Sequence, residues 1–318
     1  MGRYLSVGLM QSGDVTSDFE TSLARIRSDV DNLMAGMNAP ELICGVEMAV
    51  GRYFRGDETM LGGDTIPGKV TDELSAIAKE YGIYFMPGSM LEVELDDKGE
   101  IVKRYNSIPI FGPDGELIDV YRKMCPYMPV ESNITPGDRY VTFDIKEKGI
   151  KIGVLNCHDW CFPEISRNLA LLGAEILIKP AIDPEGLYDV CKSIAPTRAM
   201  ENQAYFISLN WAGDYLGSKA YGHSMVCGPD GNIIYEAGEV PTFLNIVLDV
   251  DKVKDARLHG TFFCDQYIRQ LALFNPPQPY AGRYHEAPVV KSLPKFDLTY
   301  EELWENQKKA GIGTIGKR

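Results

Sequence analysis

The tetrapeptide Gly-Pro-Asp-Gly occurs twice, at residues 112–115 and 228–231, each time between two apolar runs that follow alternating strand-like and helix-like segments. Proline presets φ for the second position of a turn, and a closing glycine accepts the left-handed conformation, so each copy predicts a tight hairpin. A hairpin repeated after two similar series means a chain built from two related halves. In the first half, residues 4–11 read as a strand. Residues 19–34 read as a helix with Leu23, Ile26, Val30 and Leu33 on one face, opened by a cap at Ser17 or Asp18. A short buried strand at 41–46, a helix over 69–81 carrying Val70, Leu74, Ile77 and Ala78, and a strand at 84–92 complete the series before the first hairpin, 104–121.

The second half repeats the alternation with a strand at 150–155, a helix at 162–172, a strand at 176–179, a helix ending near Asn202, a strand at 204–210, and a hairpin at 222–237. Alternating βα units with added hairpins predict mixed sheets covered by helices. The repeat adds that two such sheets pack face to face, so the expected fold is α/β, a four-layer αββα sandwich. A helix over 250–274 follows, and then Asn275-Pro276-Pro277-Gln278-Pro279 breaks regular structure. No linker rich in Pro, Gly or Ser divides the halves. Residues 1–275 are therefore expected to form one domain, and 276–318 a polar extension with one helix-like stretch at 300–308, suited to subunit contacts.

Composition narrows the function classes. The 318 residues carry a net charge of −13 and a pI near 4.9, without the clustered Lys and Arg that phosphate binding requires, so no nucleic-acid partner is expected. No apolar run reaches the ~18 residues that span a bilayer, and residues 1–11 have neither a basic leader nor a cleavage signature. The expectation is a cytoplasmic protein without a membrane partner. Seven cysteines scattered along a long chain do not form a disulfide framework.

One of them stands at a chemically useful place. Cys157 follows an apolar strand and precedes a helix whose first turn holds Pro163 and Glu164, an elbow that exposes a nucleophile and whose helix dipole favours the thiolate near neutral pH. A buried structural cysteine fits the same pattern. His158 is the only histidine near it in sequence and points away from it if the strand continues, which argues against a cysteine–histidine pair. Glu47 would stand at the same sheet edge if the strands run parallel, and it equally fits a solvated loop carboxylate. Lys123 and Glu131 follow the first hairpin and equally fit surface charge.

In order along the chain, these segments resemble the nitrilase superfamily, the carbon–nitrogen hydrolases. Gly45-Val46-Glu47-Met48 resembles its base segment, with Val46 where proline is usual. Lys123, Glu131 and Cys157 match its lysine, second glutamate and nucleophile, and Asp159, Phe162, Pro163 and Glu164 follow the cysteine as in that family. Tyr105-Asn106-Ser107, Arg198-Ala199-Met200-Glu201-Asn202, Asn210, Gly222-His223-Ser224 and the second Pro-Asp-Gly are further landmarks, and the resemblance runs from about residue 4 to about 274. It implies an amidase in which Glu47 takes the thiol proton, Cys157 attacks the carbonyl, Lys123 steadies the developing oxyanion, and Glu131 orients Lys123. An acyl-enzyme forms and water releases it, with no cofactor and no metal, and the family implies a homo-oligomer.

The stretch from Lys123 to Gly137 is more similar to the aliphatic amidase and formamidase branch than to nitrilases, which carry Trp-Glu after the cysteine where His158-Asp159 stands here. Tyr127 replaces a usual tryptophan and Met48 a usual tyrosine. These two, with His158 and Trp160, are the expected substrate-pocket residues. A nitrilase, an N-carbamoyl amidohydrolase, or a non-catalytic binding protein of the same fold remain the alternatives. Gly311-Ile312-Gly313-Thr314-Ile315-Gly316 imitates a dinucleotide-binding string, but only Lys317 and Arg318 follow, so no helix can open there. Cys157, His158 and Cys161 lack the spacing and the second ligand pair of a zinc site.

Overall fold

A computed structural model describes residues 2–13, 19–50, 63–215, 218–260, 265–277, 282–294 and 299–309. The first half runs β1 (Tyr4–Gln11), α1 (Phe19–Met34), β2 (Leu42–Cys44), α2 (Lys69–Tyr81), β3 (Tyr84–Met86), β4 (Met90–Leu95), β5 (Ile101–Phe111) and β6 (Leu117–Arg122). The second runs β7 (Val141–Ile145), β8 (Ile150–Val154), α3 (Pro163–Leu171), β9 (Ile176–Ala181), α4 (Tyr188–Asn202) and β10 (Tyr205–Asn210). It continues with β11 (Ala212–Tyr215), β12 (Ser218–Tyr221), β13 (Met225–Cys227) and β14 (Ile233–Glu236). β15 (Thr242–Asp249), α5 (Asp251–His259), α6 (Tyr267–Phe274), α7 (Pro288–Ser292) and α8 (Tyr300–Lys309) follow.

Two large mixed sheets form, in the strand orders β15-β1-β2-β3-β5-β4, with β6 on β5, and β14-β13-β10-β9-β8-β7. The related halves are visible in the pairing. β1, β2 and β3 are parallel neighbours, as are β8, β9 and β10, and an antiparallel strand closes each series, β15 on β1 and β7 on β8. Strand alternation then sets the layers. Ile176 and Ile178 of β9 face the core between the sheets, together with Leu5, Val7, Ile43, Phe85, Ile108, Ile152 and Ile207. Leu177 and Phe206 face outward, against Leu169, Ala195 and Ala199 of α3 and α4. Ile26, Val30, Val70, Leu74 and Ile77 of α1 and α2 seal the first sheet. The αββα sandwich follows.

The two Gly-Pro-Asp-Gly turns have one geometry. Gly112 C=O accepts from Gly115 N at 2.9 Å, and Gly228 C=O from Gly231 N at 2.8 Å, with φ of 85° and 82° at Gly115 and Gly231. Each follows a register shift, after Ile110 and after Val226, as expected for a type I turn closed by a left-handed glycine bulge. Each turn also docks on its own helix, Gly115 against Ser75 of α2 and Gly231 against Met200 of α4.

Local expectations differ from the structure in several places. The strand expected at 84–92 is two, β3 and β4, divided at Pro87-Gly88-Ser89 by the close passage of residues 45–47. The helix expected at 250–274 is divided into α5, which ends at Gly260 with φ 71°, and α6. β7, the β11–β12 pair, β15 and α7 lie where no element was expected. Ser17 and Asp18, and the glycine string at 311–316, lie outside the described residues. Among the described residues, no helix is long and apolar enough to cross a membrane.

Candidate active site

The site begins where β2 ends. Past Cys44 the chain crosses the 87–89 segment at backbone contact, and glycine is required on both sides of the crossing. A Cβ at Gly45 would stand 2.0 Å from Pro87 O, and one at Gly88, whose φ is 103°, would stand 1.9 Å from Val46 O. The crossing is stitched by Gly45 N to Met86 O at 2.9 Å, Ser89 N to Val46 O at 3.1 Å and Ala49 N to Ser89 O at 2.7 Å. Met48 adopts a left-handed φ of 48°, costly for a side chain with a Cβ. Its N–H is held by Ser89 Oγ at 2.8 Å, and the preceding Glu47 carbonyl by Trp211 Nε1 at 2.6 Å. The strained turn aims the Glu47 side chain inward, where it is only 2% exposed.

Around that carboxylate the structure gathers Lys123 and Glu131. Glu47 Oε1 accepts from Lys123 Nζ and from Asn106 Nδ2, both at 2.8 Å, and Oε2 accepts from Ile182 N at 3.0 Å. Lys123 Nζ also meets Glu131 Oε2 at 2.7 Å. The lysine stands one residue past β6. Its N–H donates to Asn106 O at 2.9 Å and its carbonyl accepts from Gly137 N at 2.8 Å. Burial works against its charge, yet Cys157, Glu131 and Glu47 around it raise its pKa well above the ordinary lysine value. Asn106, quoted above only as a landmark, proves to be the joint of the cluster. Its Nδ2 reaches Glu131 Oε1 at 3.1 Å as well as Glu47, and its Oδ1 accepts from Asn156 Nδ2 at 2.8 Å.

Cys157 opens a 3₁₀ turn, Cys157–Cys161, three residues after β8, with a left-handed φ of 47°. Asp159 clamps this elbow. It accepts from Asn156 N at 2.9 Å, Tyr121 Oη at 2.6 Å and Cys125 N at 2.8 Å, tying the cysteine turn to the segment that follows Lys123. Burial raises its carboxyl to about 6 despite Lys123 and these donors. The thiolate expected from the helix dipole is not the resting state. Burial pushes the Cys157 thiol well above the ordinary value, and the Glu47 carboxylate adds to this, with Lys123 opposing and Asp183 reinforcing. The intervening 3₁₀ turn puts the start of α3 six residues beyond Cys157, too far for its dipole to offset that burial.

The four expected pocket residues do not converge through one contact set. His158 places Nδ1 3.2 Å from Cys125 O, and its ring meets Tyr127 edge-on at 5.2 Å and Phe162 at 5.2 Å. Met48 packs with Leu91 and Ile134 in a small apolar cluster. Trp160 lies under Lys179, whose Nζ is 3.4 Å from the ring centre, and stacks on Phe206. Lys179 and Asp183 form a second buried ion pair, 2.6 Å apart, with Asp183 Oδ1 3.7 Å from Cys157 Sγ. Sequence reasoning did not single out either residue.

A cysteine elbow just past an interior strand, in a sandwich of two mixed sheets with helices outside, defines the nitrilase fold class. The carbon–nitrogen hydrolase profile matches residues 6–257, and the chain belongs to that family, within the nitrilase superfamily. Omega-amidase NIT2 of Homo sapiens is 32% identical over 210 residues, 61% of this chain and 71% of that protein. Among solved structures, Saccharomyces cerevisiae Nit3, a member of branch 10 of the nitrilase superfamily, superposes with a TM-score of 0.70 at 28% identity, covering 80% of this chain and 93% of its own. A carbon–nitrogen hydrolase from Helicobacter pylori G27 shares the fold with a TM-score of 0.74 at 22% identity, covering 84% and 97%.

Proposed function

We propose that this carbon–nitrogen hydrolase converts a linear carboxylic amide to its acid and ammonia, with Cys157 as nucleophile, Glu47 as base, Lys123 as oxyanion donor and Glu131 holding Lys123. The observation that carries this reading is the shared electrostatic environment of a protonated thiol and a buried carboxylate whose oxygen is fixed 2.8 Å from a lysine ammonium. Glu47 takes the thiol proton as Sγ attacks the carbonyl carbon. Two of the three N–H donors of Lys123 are occupied by Glu47 and Glu131, and the third serves the oxygen on which negative charge develops. Glu47 then returns its proton to the nitrogen, the carbon–nitrogen bond breaks, ammonia leaves, and a thioester remains on Cys157. Glu47 next deprotonates water. Hydroxide adds to the thioester carbon, the carbon–sulfur bond breaks, the proton returns to sulfur, and the acid departs.

The kinship with omega-amidases and the Lys123 to Gly137 stretch favour an amide over a nitrile. Product analysis separates the rivals, because a carbamoyl substrate also releases carbon dioxide. Mass spectrometry of the protein quenched during turnover should show an acyl adduct on Cys157. In Glu47→Gln, kcat should fall by roughly 10²–10⁴, the usual worth of a positioned base. Full amide hydrolysis by Cys157→Ala would refute the assignment.

A further inference from the structure

The Cys157 thiol faces a second buried charge pair besides Glu47 and Lys123, and among the described residues one oxygen of that pair has no partner but the thiol itself. Asp183 is 6% exposed and Lys179 fully buried. Asp183 Oδ2 accepts from Lys179 Nζ at 2.6 Å and from Tyr221 Oη at 3.1 Å, which satisfies that oxygen. Among the described residues Oδ1 accepts only from the Cys157 thiol, at 3.7 Å. The side chain cannot turn away freely, because its backbone is held on both sides. Asp183 N donates to Asn210 Oδ1 at 2.8 Å, and Asn210 Nδ2 donates to Asp183 O at 3.1 Å. The residue before it binds Glu47 Oε2, so one loop positions both carboxylates.

A purely structural ion pair would need Oδ2 alone. Burying such a pair is costly, and apolar residues of similar volume commonly replace it without loss, so an ion pair held against a nucleophile calls for a further role. In the mechanism above the thiol proton leaves for Glu47, and sulfur becomes acylated. Oδ1 then has no donor, and a buried acceptor without a donor is costly, more so when charged. In the chain S–C–Cα–X, X is only three bonds from sulfur and Oδ1 is 3.7 Å from it, so a donor X turned toward Asp183 comes within hydrogen-bond reach of Oδ1 and can take over the contact.

Resting on the reading of Cys157 as nucleophile, we infer that Asp183 is a substrate-binding, specificity-determining residue. Its Oδ1 accepts a hydrogen bond from an O–H or N–H on the α carbon of the acyl group. The preferred substrates are primary amides of α-hydroxy or α-amino acids. Sites built to bond such a group discriminate strongly against analogues that lack it.

Three amides of one shape test this: lactamide, alaninamide and isobutyramide, which carry hydroxyl, amino and methyl on the same carbon. Ammonia release by the full chain should give kcat/KM for lactamide and alaninamide at least tenfold above isobutyramide. In Lys179→Met/Asp183→Leu, which removes both charges together, that ratio should fall to about one. If this variant does not fold, Asp183→Asn should abolish any advantage of alaninamide over lactamide. Equal rates on all three amides with the unaltered protein overturn the inference and leave the amidase reading standing, as does a ratio unchanged in the variants. Ammonia from none of the three overturns the inference, and no ammonia and no acyl mass on Cys157 from any of a panel of linear amides overturns both.

Discussion

Replacing Lys123 by Met is the most demanding perturbation of the buried cluster. Lys123, Glu47 and Glu131 are each no more than 2% exposed, and one ammonium neutralises two carboxylates at 2.8 and 2.7 Å. Removing it leaves two buried carboxylates sharing the Asn106 amide, and breaking a buried pair from one side costs about 3–5 kcal/mol. With an unfolding entropy of about 2.1 cal/mol/K per residue, a chain of 318 residues loses about 0.7 kcal/mol of stability per degree, so Tm should fall by roughly 4–8 °C at pH 8. The sign of the pH dependence is the sharper test. Two adjacent carboxylates without a cation must share a proton, which raises a folded-state pKa. A raised carboxyl contributes stability at low pH and loses it as pH rises through the folded value, so the gap between variant and parent should narrow towards pH 5. Thermal melts followed by circular dichroism at pH 5 and 8 measure this. A variant within 1 °C of the parent at pH 8, or a gap that widens on acidification, would refute the buried-cluster argument.

Three further outcomes follow from the backbone and the site. Gly88→Ala should cost more than about 2 kcal/mol and depress turnover, because its Cβ meets Val46 O at 1.9 Å beneath Glu47. Gly149→Ala, also left-handed at 58° but with open space around it, should cost no more than about 1 kcal/mol and leave turnover unchanged, both read from urea midpoints and ammonia release. The Asp159 carboxyl binds its proton more tightly folded, at about 6, than its ordinary 3.8. Its contribution is therefore complete below about pH 4 and fades as pH rises to about 6. Urea midpoints should fall across that window in the parent and stay flatter in Asp159→Asn, and parallel curves would show that Asp159 does not titrate there.

How legible each part was depends on the range of the interaction that decides it. Helix α2 begins at Lys69 and ends at Tyr81 as its periodicity predicts, and both Gly-Pro-Asp-Gly turns form, because spacing and turn sterics act within a few residues. The break between β3 and β4 falls at Pro87-Gly88-Ser89, a local breaker signal that the single expected strand ran across, whereas the Val46 carbonyl that Gly88 must pass lies about 40 residues away and could not be read from the sequence. The order Glu47, Lys123, Glu131, Cys157 could be matched along the chain, but Asn106 could not be assigned its work, because bridging two carboxylates requires the end of β2 and the turn after β6 to meet.

Lys179 and Asp183 mark the limit most clearly. In a continuing strand, side chains four residues apart stand about 13 Å from each other, so their spacing carries no sign of a 2.6 Å pair until the chain turns at Ala181. The thiol shows the same division. By itself, the amino-acid sequence determined the two half-sandwiches, their hairpin turns and the position of Cys157 between a strand and a helix, all set by local sterics and periodic burial. Only the tertiary structure decided that burial raises this thiol's pKa, and that Glu47, Lys123 and the Lys179–Asp183 pair gather around it. Those outcomes depend on desolvation and on charges brought together from distant parts of the chain.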